Sequence, residues 1–202
     1  MENVNKSLTH RQRQALATRQ LIVDAARDLF LDQGYVATTI EAISARAGVG
    51  VSTVYAIFGN KRGILRAIRQ AWHNESGQRE IFAQAAQQPD PVRCLEIAAH
   101  ATRRQWQTSA AMIAVYQSAA AADPEAAAEL AEALGGRRAN LTRFITGMAS
   151  MLRPDLDAGR ATDIFLALTR AEVYQELVDT AGWSPDEYER WLADLLKQQL
   201  LL

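Results

Sequence analysis

The side chains able to do chemistry are scattered along this sequence rather than assembled. Glu96 and His100 stand four apart, a spacing that puts both on one helix face and suits a metal ion. No second histidine lies near them, since the other two are His10 and His73. Cys94 is the single cysteine, so neither a disulfide nor a cysteine-built zinc site can form within one chain, and a lone cysteine reads as a packing residue. A Gly-x-Ser-x-Gly nucleophile elbow is absent. Gly48-Val49-Gly50 follows a helical pattern instead of a strand, which removes a dinucleotide cradle. The acidic run Asp186, Glu187, Glu189 reads as a helix first turn favoured by the dipole. Together these features argue against an enzyme and imply neither metal nor cofactor. One stretch has a different chemistry. Gly50, Val51, Ser52, Thr53, Ala56 and Ile57 are small and uncharged, and Tyr55 and Lys61 bracket them. Hydroxyls and methyls of this kind can approach a base edge and touch thymine methyls. A phenol and an ammonium suit phosphate oxygens.

The elements that must hold this stretch are helices. Ile22, Ala25, Ala26, Leu29 and Phe30 are spaced for one helix face, and Gly34 stops that helix. A short helix carries Ile40, Ile43 and Ala47 and ends at Gly48; another runs from about Ser52 to Phe58, and Gly59-Asn60 breaks it. From Lys61 a longer helix points Ile64, Leu65, Ile68 and Trp72 inward. Two short helices joined by a glycine-containing turn form a helix–turn–helix, with Val49 plugging the turn against Ile43, Val54 and Phe58. Beyond residue 88, Pro89 and Pro91 open a helix with Leu95, Ala99, Thr102 and Trp106, Asp123-Pro124 opens the next, and Ser184-Pro185-Asp186-Glu187 is a capping box. Pro154 separates a helix ending near Leu152 from one starting near Asp157, which Gly182 stops. The expectation is an all-α chain of about nine helices. Residues 1–63 form a basic lead-in and helix–turn–helix domain, and 64–202 form a helical bundle.

Charge is divided along the same line. Residues 1–70 hold ten cations against five anions, and the rest holds twelve against eighteen, so a +5 end is joined to a −6 body with a net charge of −1. A basic end suits a polyanion. The 202 residues are 49% hydrophobic and 22% charged, an ordinary globular balance. The most apolar stretch, Ala110 to Ala122, is short and broken by Gln117 and Ser118, so no membrane span is expected. The leading Met-Glu-Asn-Val-Asn-Lys has no apolar run, which points to the cytoplasm.

Phe30, Gly34, Tyr35, Thr39, Ile43, Ala47-Gly48-Val49, Ser52-Thr53-Val54-Tyr55, Phe58 and Lys61 together resemble the DNA-binding domain of the TetR (tetracycline-repressor) family over about residues 15–70. Glu172 to Val178 and Gly182-Trp183-Ser184-Pro185, with Tyr188, Trp191 and Leu192, resemble the last two helices of many members. The chain departs from the family in having Gly50 where many members place a capping serine. It also has Ala56 and Ile57 where aromatic or histidine residues are common. Thr39 matches the family's cap of the second helix, while Thr38-x-x-Glu41 has capping-box spacing and stands as the alternative.

The resemblance implies a homodimer on double-stranded DNA with a palindromic operator, and a small-molecule effector in the body. Ser52 to Ile57 would lie in the major groove, with Thr39, Tyr55 and Lys61 on phosphates and Arg11, Arg13 and Arg19 adding backbone or minor-groove contacts. His100, Trp106, Met112, Tyr116, Phe144, Phe165 and Thr169 are the candidate effector pocket; residue by residue each reads first as ordinary core, and the resemblance alone raises the pocket. Leu168, Val173, Leu177, Trp191, Leu192, Leu195 and Leu196, with the apolar end Leu200-Leu201-Leu202, are the candidate dimer face. Repression relieved by the effector is the favoured outcome. An activator of the same architecture, and a helical adaptor without DNA binding, are the alternatives.

Overall fold

A computed structural model describes residues 9–75 and 77–201, apart from the side chains of residues 72–75, 78 and 79. It is 82% helical, with 10 helices of eight residues or more and no strand among the described residues. The order is α1 (His10–Gln33), α2 (Ile40–Ala47), α3 (Val51–Phe58), α4 (Lys61–Glu75), α5 (Gln78–Ala85), α6 (Pro91–Ser109), α7 (Ile113–Ala122), α8 (Pro124–Gly147), α9 (Ala158–Leu168), α10 (Ala171–Tyr174) and α11 (Pro185–Leu200). The chain divides into two compact units at Gln70/Ala71. That division falls within α4, beyond the 63/64 boundary expected from sequence, because Ile64, Leu65, Ala67 and Ile68 are buried residues of the first unit.

In the first unit, α1 opens on a capping box in which Thr9 and Gln12 bond each other's main-chain N–H. Its inward stripe of Ile22, Ala25, Ala26 and Phe30 is buried, and the Phe30 ring lies 5.2 Å from that of Tyr35. Thr39 caps α2 by accepting from the Ala42 N–H at 3.1 Å. Thr38 is instead buried, its hydroxyl 2.8 Å from the Gly34 carbonyl, so the capping-box alternative does not form. Trp72, Lys6 and Glu2 lie outside the described side chains.

The second unit is built on α6. Its stripe of Cys94, Leu95, Ala98, Ala99, Thr102 and Trp106 is buried, and α11 packs along it with Tyr188, Leu192, Leu196 and Leu200. Burial pushes the Cys94 thiol up to about 11, in keeping with a packing role. Asp90, Asp123, Asp157 and Ser184 cap α6, α8, α9 and α11, three of these helices carrying proline in the first turn.

Three expectations change here. The helix α5 is an addition, since residues 78–85 gave no clear signal beside α4. The long helix expected from Asp157 to Gly182 breaks at Thr169-Arg170, after which α10 continues as a π-helical turn over Gln175–Thr180. The break has a tertiary cause: the Thr169 carbonyl accepts from Trp106 Nε1 at 3.0 Å and Arg137 Nη2 at 2.8 Å, not from a helical N–H. Lastly, Leu192 and Leu196 are fully buried within their own unit and cannot form a dimer face. Leu200 and Leu201 are buried as well, with the Leu200 carbonyl held by the Arg153 N–H at 3.0 Å. Leu200 and Leu201 therefore complete the core of the bundle, and Leu202 lies outside the described residues. Leu168, Val173, Leu177, Trp191 and Leu195 remain half-buried.

Candidate functional site

The turn between α2 and α3 is locked by short bonds. Gly48 has φ +68°, a left-handed conformation that closes α2 and that side-chain-bearing residues rarely adopt. The Ser44 hydroxyl donates to the Val49 carbonyl at 2.5 Å, and the Val49 N–H returns a bond to the Ser44 carbonyl at 3.1 Å. Val49 is half-buried, while Ile43 and Val54 are fully buried, so α3 is anchored through one side chain of its own. The opposite side presents the sequence's candidate residues to solvent. Gly50, Ser52, Tyr55, Ala56, Ile57 and the α2 cap Thr39 are exposed, and Val51 and Thr53 are half-exposed. Gly50 caps α3 without a side-chain bond. A short helix with no charged residue, bearing two hydroxyls and several methyls, can approach a groove floor without desolvating an ion.

Lys61 takes a different position from the one expected of a phosphate clamp. Its ammonium points inward and donates to the carbonyls of Tyr35 at 2.6 Å and Thr38 at 2.8 Å, with Val36 at 3.4 Å. It also lies 4.2 Å from the centre of the Tyr35 ring, and burial lowers its pKa. With two protons committed to short bonds, only the one shared with Val36 can serve an outside acceptor. Arg19 is likewise engaged, its guanidinium 4.8 Å from the Phe58 ring at the end of α3. Asn60 Oδ1 accepts from the Gly63 N–H at 2.9 Å and starts α4. These residues fix the α3 frame; the sequence pointed Lys61 and Arg19 at the polyanion because a cation's partner is invisible in one dimension.

Residues 22–68, which span the buried stripe of α1, the locked turn, the exposed helix and the start of α4, match the family model described as bacterial regulatory proteins of the tetR family. The head of this chain is similar to the DNA-binding head of the TetR family. A curated relative, the TetC protein of transposon Tn10 from Escherichia coli, is 40% identical over 67 residues, which are 33% of this chain and 32% of that one. The chain thus aligns with about a third of that relative's length. Solved structures extend the likeness of fold to the whole chain. A SmeT–triclosan complex matches with a TM-score of 0.71 at 22% identity, over 92% of each chain. NalD, the secondary repressor of the MexAB-OprM multidrug efflux pump in Pseudomonas aeruginosa, matches with a TM-score of 0.71 at 20% identity, over 94% of this chain and 98% of that one. TetR-family members are transcription regulators with a helix–turn–helix head, not enzymes.

In the body the candidate pocket residues do not form one group. Met112, in the 3₁₀ turn Ala110–Met112, is core. His100 belongs to a polar latch: its Nδ1 lies 3.0 Å from the Glu189 carboxylate, which also accepts from Arg103 Nε at 2.9 Å, while Arg103 Nη2 reaches Asp186 at 3.2 Å. That latch ties α6 to α11 through Asp186 and Glu189, while Glu187 caps the first turn of α11. Phe144 and Phe165 meet Phe82 in an edge-to-face cluster with ring centres 5.3 to 6.4 Å apart. Trp106 and Thr169 are brought together by the bond from Trp106 Nε1. Tyr116 is half-buried on α7. Sequence reasoning missed Phe82, Arg137, Tyr174 and Tyr188. Arg137 sits in the run Gly135-Gly136-Arg137-Arg138, where nothing distinguishes it from its solvated neighbour Arg138.

Proposed function

We propose that this protein is a TetR-family transcriptional repressor in the cytoplasm that binds a palindromic operator as a homodimer and releases it when a small molecule occupies the body. The observation that carries this reading is the exposed, uncharged face of α3 on a turn locked from beneath. Ser52, Thr53, Ala56 and Ile57 read base edges, with Gly50 and Val51 at the entering end. Thr39 and Tyr55 contact flanking phosphates. Lys61 acts chiefly by holding the chain before α2. Two heads related by a two-fold axis require half-sites about 34 Å apart, or a multiple of that. The half-buried Leu168, Val173, Leu177, Trp191 and Leu195 form the contact between subunits. A bound effector releases DNA because it has different affinities for the two spacings of the heads. Binding to triclosan by SmeT, and repression by NalD, support the reading by likeness of fold.

Selection of operators from random duplex DNA tests the proposal. A palindrome should be recovered, and Ser52→Ala or Thr53→Ala should alter the recovered sequence at positions within each half-site. Recovery of no preferred sequence would refute the assignment of α3 as the reading helix.

A further inference from the structure

One half-buried cation in the body has no counter-ion among the described residues. Arg137 on α8 directs a single nitrogen, Nη2, to the Thr169 carbonyl and hydroxyl, each at 2.8 Å, and its guanidinium lies 5.6 Å from the Trp106 ring centre. Both acceptors are neutral, and no carboxylate pairs with it among the described residues. Glu172, the nearest candidate by electrostatics, is held bidentately by Arg170 at 2.7 and 3.1 Å. Burial therefore pulls the Arg137 guanidinium down to about 10. A guanidinium has five N–H donors, and three of these, on Nε and Nη1, have no acceptor among the described residues.

A second donor is orphaned beside it. Tyr188 on α11 is fully buried, and its hydroxyl is the one buried side-chain polar atom without a hydrogen-bond partner among the described residues. Tyr188 packs on Tyr174, five residues beyond the Thr169 that Arg137 holds, and its helix α11 lies along the α6 that carries Trp106, so the two orphans belong to one region of the bundle. Tyr174 packs edge-on against the Tyr188 ring at 4.9 Å, and Trp106 closes over Arg137. Unpaired buried donors are costly, and a cation with a planar fork beside a phenol O–H requires an acceptor carrying negative charge. One guanidinium balances one charge, which favours a monoanion over a phosphate dianion. The aromatic surroundings favour an apolar body on it.

We infer that the Arg137 guanidinium and the Tyr188 hydroxyl bind the carboxylate of a small organic acid with an aromatic or aliphatic body, and that this acid is the effector. The inference rests on the ligand-responsive reading above and names the chemical class that site takes.

Calorimetric titration with matched pairs tests it: benzoate and benzamide, phenylacetate and phenylacetamide, octanoate and octanamide. At least one acid should bind ten-fold or more tighter than its amide, and Arg137→Gln should abolish that preference. Tyr188→Phe guards against simple unfolding, because removing an unsatisfied buried hydroxyl should leave the melting temperature unchanged or raised. The same variant should weaken the acid three-fold or more. Equal affinity for acids and amides, acid affinity unchanged in Tyr188→Phe, or no binding of any acid in the panel would overturn the inference. Operator release by a neutral compound, unaffected by both substitutions, would overturn the carboxylate site and leave the ligand-responsive reading standing. Acid binding that depends on Arg137 but never releases operator would sustain the site and overturn that reading.

Discussion

Lys61 holds three successive stretches of backbone with one side chain. The carbonyls of Tyr35, Val36 and Thr38 would otherwise crowd a turn before α2 with no common partner. Replacing Lys61 with methionine keeps the stem over the Tyr35 ring and removes the donors. The loss should be about 1–3 kcal/mol of head stability, the usual cost of leaving partly buried acceptors unpaired. Weakened DNA binding should follow that melting loss, with the salt dependence of affinity nearly unchanged; a slope lower by a full unit would return Lys61 to the phosphates. Glu187 offers a pH test at the same scale. The Ser184 N–H and O–H both donate to its carboxylate at 2.7 Å and hold its pKa below the ordinary 4.5. Because the folded value is lower than the unfolded one, this cap stabilises α11 above pH 4.5 and its contribution fades as pH falls through the lower value. Thermal melts over that range should show a steeper acid loss for the parent than for Glu187→Gln.

Two glycines show how an element's position depends on what approaches it. Gly63 lies in the first turn of α4, where a Cβ would stand 2.0 Å from the Phe58 carbonyl oxygen at the end of α3. Phe58 is main chain, so nothing flexible can give way. Gly63→Ala should cost about 1–3 kcal/mol by overpacking and displace α3 enough to weaken operator binding. Gly135 lies inside α8 with nothing within 4 Å of its Cβ position and no positive φ. Gly135→Ala should therefore stabilise the body by roughly 0.4–1 kcal/mol, since it only reduces the freedom of the unfolded chain. Melts of the two variants measured side by side check the pair. Destabilisation by Gly135→Ala would mean that α8 packs there against a surface absent from a single subunit.

At the scale of the whole molecule, burial decides which leucines can serve assembly. Leu192 and Leu196 are fully enclosed by their own bundle, so Leu192→Ala should cost about 2–5 kcal/mol at any protein concentration. Leu177 and Leu195 are half-buried and can be changed without opening that core. Leu177→Glu with Leu195→Glu should leave a folded monomer that binds a palindrome weakly, because the effective concentration linking two heads is lost. Light scattering beside a melt checks this. A dimer that survives the double substitution would place the subunit contact elsewhere.

The sequence alone was enough for the helical class, the Gly48 turn and the exposed residues of α3, and it narrowed the cap of α2 to Thr38 or Thr39. Each of these depends on neighbours within a few positions: a cap bonds two or three residues on, and a face repeats every three or four. Charge asymmetry, too, is a property of the chain itself. Tertiary structure decided the direction of Lys61, whose acceptors lie 23 to 26 residues away, and the fate of Leu192 and Leu196. An apolar residue on a helix has the same pattern whether a neighbouring helix or a second subunit covers it. The break at Thr169 needed Trp106 and Arg137, 63 and 32 residues distant, to take its carbonyl from the helix. The lack of a carboxylate partner for Arg137 among the described residues is of the same kind, because a missing counter-ion can be recognised only when the surrounding residues are in place.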